Sequence, residues 1–242
     1  MNSRLTPWIA LLATVLLAGC LGLAPTEVPM PAIETVDSNG RQNSVVIMLP
    51  GRGDRADSFI REGFEEAGER WGFDTIAVDA HFGYYMQRSL LPRLHEDVIA
   101  PARAAGYENV WLLGISMGGF GSLLYASEHP ELVDGVILLA PFLGDEAAIE
   151  QILNNGGVEN LAAVQTDIED YEFAVWSWIR EASNGRQPTP IILGYGLADS
   201  MAPGYRALTD VIEPASVYTL EGGHKWTTWG PLWQKIAADL EF

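Results

Sequence analysis

Val110-Trp111-Leu112-Leu113-Gly114-Ile115-Ser116-Met117-Gly118-Gly119 runs from an apolar stretch into a serine framed by glycines, and the helix-like segment Phe120 to His129 follows without a spacer. A strand that turns this sharply into a helix has room only for glycine two residues either side of the bend, and it lifts the middle side chain clear of the sheet. The Ser116 hydroxyl is therefore expected at a strand end, above a helix N-terminus whose free N–H groups favour negative charge. An ordinary Gly-rich turn is the plainer reading. With glycine at 25 of 242 positions, however, the five-residue pattern arises by accident only about 0.1 times in such a chain.

A lone serine is a weak nucleophile and needs a base, itself oriented by a third group. Gly114-Ile115-Ser116-Met117-Gly118 resembles the nucleophile elbow of the α/β-hydrolase superfamily of serine esterases, lipases and related enzymes, and this implies the chain order Ser, Asp or Glu, His. The run Pro190 to Gly194 reads as a buried strand with Asp199 in the loop past its end; Val217 to Leu220 reads as the next, followed by Glu221-Gly222-Gly223-His224. By the resemblance Ser116 is the nucleophile, Asp199 the acid and His224 the base. His95 and His129 lie in or at the end of helical patterns and read as structural. His81 follows the strand candidate Thr75 to Val78, within reach of an active-site rim, but precedes the serine. Asp167, Glu169 and Asp170 compete for the acid's role without a strand before them.

Acyl transfer builds charge on the carbonyl oxygen, so N–H donors aimed at that oxygen are needed. The resemblance implies the backbone N–H of Met117 as one donor and a second from the loop after the superfamily's third strand. Here Val45 to Leu49 ends in Pro50-Gly51-Arg52-Gly53-Asp54, with Pro50 where relatives commonly show His. Gly51 still permits the turn, which makes the Arg52 N–H the expected second donor; a solvated loop is the alternative.

Met1 to Arg4 is short and basic, Trp8 to Leu17 is apolar but too short to span a bilayer, and Leu17-Ala18-Gly19-Cys20 closes the segment. That tetrapeptide resembles the bacterial lipobox, which implies removal of residues 1–19 as a signal peptide and lipidation of Cys20. The implied address is the bacterial cell envelope, and with Leu21 after the cysteine, the outer membrane of a Gram-negative cell. Cys20 is the only cysteine, which excludes a disulfide framework or a cysteine-based metal site. An ordinary cleaved signal peptide and a retained N-terminal anchor helix are the other readings. Residues 20–43, with Pro25, Pro29 and Pro31 and then Asp37-Ser38-Asn39-Gly40, read as lipidated N-terminus and tether, and 44–242 as one domain.

Within that domain apolar runs near 45–49, 75–78, 110–114, 135–140, 190–194 and 216–220 alternate with helical stretches. Such alternation predicts an α/β fold with a doubly wound, mostly parallel sheet, whose ligand site lies beyond the strands' carboxyl ends, where all the candidate catalytic residues fall. No strand stands out between Cys20 and Ser44, so the two leading strands of the full superfamily pattern are expected to be missing or reduced. Residues 145–187 exceed the minimal alternation. Their helical patterns, Asp145 to Asn154 and Val158 to Ala182, the latter with Tyr171, Phe173, Trp176 and Trp178, read either as a small cap or as core-packed surface helices.

Fourteen basic residues against 32 acidic give a net charge of −18, a surface that repels phosphate backbones, so nucleic acid is not an expected partner. The resemblance calls for no cofactor, and no metal-ligand spacing is visible. Aromatic residues gather after two strands, and His81, Tyr84 and Trp226 are expected to line a substrate pocket suited to an apolar acyl or aromatic group. The expectation is a membrane-tethered serine carboxylesterase for small-molecule esters of short to medium acyl chain. A peptidase, thioesterase or acyltransferase would use the same triad, and a non-catalytic envelope-binding lipoprotein would keep the fold without turnover.

Overall fold

The structure is a computed structural model that describes residues 24–36, 40–163, 170–185 and 189–240. The signal segment, Cys20 and the acid alternatives Asp167 and Glu169 lie outside the described residues.

The apolar runs form strands β1 (Ala32–Thr35), β2 (Ser44–Leu49), β3 (Asp74–Val78), β4 (Asn109–Ile115), β5 (Gly135–Leu139), β6 (Ile191–Gly196) and β7 (Val217–Leu220), joined in one sheet in the order β1-β3-β2-β4-β5-β6-β7. Only the β1–β3 pairing is antiparallel. β2, β3 and β5 are buried along their whole length, which is why they read as continuous apolar runs: parallel strands are covered on both faces.

Helices α1 (Ala56–Arg61) and α2 (Glu66–Trp71) link β2 to β3. α3 (Phe82–Met86), α4 (Leu90–Leu94), a π-helical turn at His95–Ile99 and α5 (Ala100–Ala104) link β3 to β4. Then follow α6 (Met117–Glu128), α7 (Glu146–Asn154), α8 (Asp170–Ser183), α9 (Ala202–Thr209) and α10 (Trp226–Asp239). The β2-to-β3 crossover steps one way along the sheet, and the later crossovers step the other way. Right-handed connections then put the two sets of helices on opposite faces: α2 packs with α10, and α6 with α4 and α8. Where the direction reverses, between β2 and β4, a crevice opens at the carboxyl ends of the strands. There Leu49 is paired with Gly114, two residues before Ser116.

Of the expectations about the N-terminal region, one is made specific and one is corrected. A strand does precede Ser44: β1 pairs with β3 from Ala32 opposite Val78 to Thr35 opposite Thr75, so one leading strand is present in reduced form. Its four residues sit at the sheet edge with most side chains toward solvent, and so carry no apolar run to read. Residues 26–31 are also not a free tether. The Tyr84 hydroxyl donates to the Glu27 carbonyl at 2.9 Å and accepts the Glu27 N–H at 3.0 Å. Asp97 accepts the N–H of Met30 at 2.8 Å, and the Met30 side chain is 3 % exposed. The segment that read as a stiff spacer is instead a strap held at Glu27 and Met30 by partners from α3 and the π-helical turn.

The described residues of the 145–187 insertion pack onto the domain. Trp176 is buried and its indole N–H donates to the Leu143 carbonyl at 2.9 Å, and Trp178 is buried as well. Tyr171 and Phe173, on the same helix α8, are exposed, and the Tyr171 ring meets Phe120 of α6 edge-on at 5.7 Å. Core packing therefore accounts for the tryptophans of the aromatic stripe but not for the other two rings.

Candidate active site

Ser116 joins β4 to α6 with φ 51° and ψ −113°, a backbone conformation that costs a non-glycine residue on the order of 1–3 kcal/mol. Its neighbours make the bend possible. A Cβ on Gly114 would overlap the Gly118 carbonyl, and one on Gly118 would overlap the Leu49 carbonyl. The strain is held by hydrogen bonds on both sides: the Ser116 N–H donates to Leu139 at 3.0 Å, and its carbonyl accepts the N–H of Gly119 at 3.0 Å and of Phe142 at 2.9 Å. The hydroxyl is thereby fixed at the carboxyl end of the sheet.

Asp199 leaves β6 in a turn closed by its own N–H to the Gly196 carbonyl at 3.0 Å. His224 arrives from β7 in a loop bonded to the acid's loop, Ala198 N–H to the Gly222 carbonyl at 2.8 Å. These two loops bring Asp199 Oδ2 to 2.9 Å from His224 Nδ1, and His224 Nε2 to 3.0 Å from Ser116 Oγ. An ionised carboxylate can only accept, so Nδ1 carries the proton and Nε2 is left to accept the Ser116 O–H. Burial of the Asp199 side chain would raise its pKa, but hydrogen bonds from His224 and the Met201 N–H, together with the neighbouring imidazole and the Tyr205 phenol, outweigh burial and hold the carboxyl below its ordinary value. The Trp229 ring stands edge-on to the imidazole, 5.0 Å away at 89°, and limits its rotation.

The two expected N–H donors belong to backbone segments next to the serine. Met117 is the first residue of α6, so its N–H has no partner within the helix and points from the positive end of the helix dipole. The loop after β2 turns back through a bond from Asp54 N–H to the Gly51 carbonyl at 3.1 Å, and the Cβ position of Gly51 is 3.6 Å from Ser116 Cβ. Arg52 follows on this loop, exposed, with its guanidinium 4.6 Å from the centre of the Phe82 ring.

Of the three residues expected to line a pocket, two are buried in other contacts, and Trp226 is half-buried with its ring 5.3 Å from Trp229. His81 is buried as the N-cap of α3, its Nδ1 accepting the Gly83 N–H at 3.1 Å; burial and the nearby Arg55 hold its pKa below the ordinary imidazole value. Tyr84 is fully buried and bonded to Glu27. Trp226 turns into the aromatic cluster under α1 and α2, edge-on to Phe59 at 5.6 Å and Phe64 at 5.4 Å. All three were assigned from their distance along the chain past a strand end or past the base. That distance does not say which way a ring points. Trp229 is the aromatic residue that meets the imidazole, and its signal was periodicity: Trp229, Trp233 and Ile236 form the buried face of α10. A cavity of about 330 Å³ flanks the site on the acid's side, walled by Pro141, Leu143, Ile149, Leu153 and Met201, among others, between the strap after β5, α7 and the start of α9. Ser116 and His224 are not part of its wall, but the strap that forms one side bonds to Ser116 through Phe142.

The family model described as alpha/beta hydrolase fold matches residues 44–170. Among solved structures, the serine hydrolase FphF of Staphylococcus aureus, described as fluorophosphonate-binding, superposes with a TM-score of 0.61 at 11 % identity over 89 % of this chain and 95 % of its own. Est1E from Butyrivibrio proteoclasticus gives 0.59 at 17 % identity over 86 % and 91 %. A monoacylglycerol lipase from Paleococcus ferrophilus gives 0.56 at 17 % identity over 87 % and 97 %. No curated protein matches the chain by sequence.

Proposed function

The chain belongs to the α/β-hydrolase family, and from that premise we propose that it is a serine hydrolase acting on carboxylic esters of short to medium chain length. The observation that carries this reading is the unbroken line from Asp199 Oδ2 through His224 to Ser116 Oγ, with its 2.9 and 3.0 Å links, ending at a serine on a strained elbow.

The geometry supports a two-step acyl transfer. Ser116 Oγ attacks the ester carbonyl carbon while its proton passes to His224 Nε2, and the N–H groups of Met117 and Arg52 take the charge that develops on the carbonyl oxygen. Collapse expels the alcohol, which leaves with the proton from His224. Water then attacks the acyl-enzyme, its proton passes through His224 to Ser116 Oγ, and the acid is released. Asp199 stays ionised throughout and holds the imidazolium that forms twice in the cycle.

Esters are favoured as the substrate because a monoacylglycerol lipase is among the similar structures. The flanking cavity of about 330 Å³ is the size of a small-molecule pocket, and each methylene group buried in it is worth about 0.8 kcal/mol. A chain-length series of nitrophenyl esters tests this: the rate should rise over the first few carbons and then fall. A maximum at long-chain esters would displace the reading, as would cleavage of peptides or thioesters in place of esters.

Leu17-Ala18-Gly19-Cys20 supports attachment to the bacterial cell envelope through lipid on Cys20, at the outer membrane in a Gram-negative cell. Metabolic labelling with an alkyne fatty acid should mark the wild-type chain and not Cys20→Ala; equal labelling of both would move the anchor elsewhere.

A further inference from the structure

Arg52 differs from five of the ten arginines among the described residues. Arg55, Arg61, Arg93, Arg103 and Arg180 each pair with a carboxylate; among the described residues Arg52 has no ion-pair partner, although the chain carries 32 acidic residues. Its near neighbours do not supply one. Arg55 is occupied by Asp79, which also accepts the Ala56 N–H, and Asp54 is turned back over Gly51 and accepts the Ser58 hydroxyl at 3.1 Å. The guanidinium lies instead over Phe82 at 4.6 Å. A cation stacked in this way is held in place by the ring while the N–H groups along its edge stay free, and their fork matches the two oxygens of a carboxylate.

We propose that Arg52 is a specificity-determining residue: its side chain binds a free carboxylate on the substrate, so that the preferred esters are half-esters of short dicarboxylic acids. The position argues for a short spacer, because Arg52 directly follows Gly51, whose Cβ position is 3.6 Å from Ser116 Cβ. A side chain rooted there has the length to reach a carboxylate a few bonds from the scissile carbonyl. The net charge of −18 repels anions in general, so an anionic substrate needs a local cation at the mouth of the site. Stacking on Phe82 lowers the cost of ordering the guanidinium, which is what separates this contact from an ordinary exposed ion pair. The inference rests on the serine-ester reading of Ser116.

The test uses the full chain and two esters that differ by a carboxylate in place of a methyl group, monoethyl glutarate and ethyl pentanoate. In Arg52→Gln the ratio of kcat/KM for the charged over the neutral ester should fall about tenfold, mainly through KM, which corresponds to about 1.4 kcal/mol. Arg52→Lys, which keeps the charge but not the fork, should fall between the two. The wild-type ratio should also shrink as salt is raised. An unchanged ratio in Arg52→Gln, or a ratio insensitive to salt, overturns the proposal. A second measurement does not depend on turnover: glutarate itself, which has no ester bond to cleave, should slow fluorophosphonate labelling of Ser116 in the wild type and not in Arg52→Gln, and equal protection in both overturns the proposal. If neither ester is hydrolysed while Ser116 still labels, the ester reading fails, and the protection experiment still decides whether Arg52 binds a carboxylate.

Discussion

Gly118 lies so close to the end of β2 that a Cβ on it would overlap the Leu49 carbonyl oxygen. The first turn of α6, which carries the Met117 N–H, and the loop that carries the Arg52 N–H are thereby set at a fixed spacing by backbone contact. The spacing of the two proposed donors is thus set in part by backbone against backbone.

Gly118→Ala should for this reason disturb both stability and activity. The clash is with backbone, which cannot rotate away, so the cost should reach about 3 kcal/mol, the upper end for overpacking. Urea denaturation measures it, and a loss well under 1 kcal/mol would mean that the elbow can relax.

Ser116→Gly and Ser116→Ala should both be inactive but differ in stability. Each removes the hydroxyl, and only glycine accepts φ 51° without strain. After subtracting glycine's greater freedom in the unfolded chain, the glycine variant should be more stable by about 1 kcal/mol. Thermal unfolding of the pair reads the strain directly.

Among the charge-relay variants, His224→Ala should lower kcat by about six orders of magnitude and Asp199→Asn by about four, with the fold intact by circular dichroism. Retention of most wild-type turnover in His224→Ala would remove it as the base.

The sequence carried the central strands and the order of the candidate triad because both are written in local signals. Val45 to Leu49 and Val110 to Ile115 are apolar throughout since both faces of a parallel strand are covered, and the glycines around Ser116 mark a bend that nothing larger fits. What was not legible depends on partners distant in sequence. Ala32 to Thr35 becomes a strand only because β3 offers it an edge, and the strap before it is fixed by Tyr84 and Asp97, 57 and 67 residues away. His81, Tyr84 and Trp226 were read by position along the chain, and their orientation was set by Gly83, Glu27 and the Phe59–Phe64 pair.

Asp199 ties stability to pH. Its pKa is lowered in the folded protein, so the stabilisation it brings is present above the unfolded carboxyl value and is lost as pH falls through the lower folded value. The stability gap between wild type and Asp199→Asn should be constant near neutrality and close below about pH 4. Urea titrations across that range test the sign, and a gap that widens in acid would contradict it.

The strap contributes to the fold in its own right. Met30→Ala should cost about 2 kcal/mol or more, as expected for a buried methionine, and a chain starting at Val36 should unfold at a lower temperature than one starting at Ala24. Equal melting temperatures for those two chains would show that β1 and the strap add nothing.

The docked strap also changes how far the domain can swing. Residues 20–43 as a free leash would allow a reach of about 80 Å at full extension. With the chain captured from Ala24, whose carbonyl lies against Gly83 beside Phe82, the proposed lipid on Cys20 would leave four residue steps, or about 14 Å. The volume swept around such an anchor would shrink with the cube of that length, on the order of a hundredfold, and the effective concentration of the site toward esters in the same membrane would rise by a similar factor.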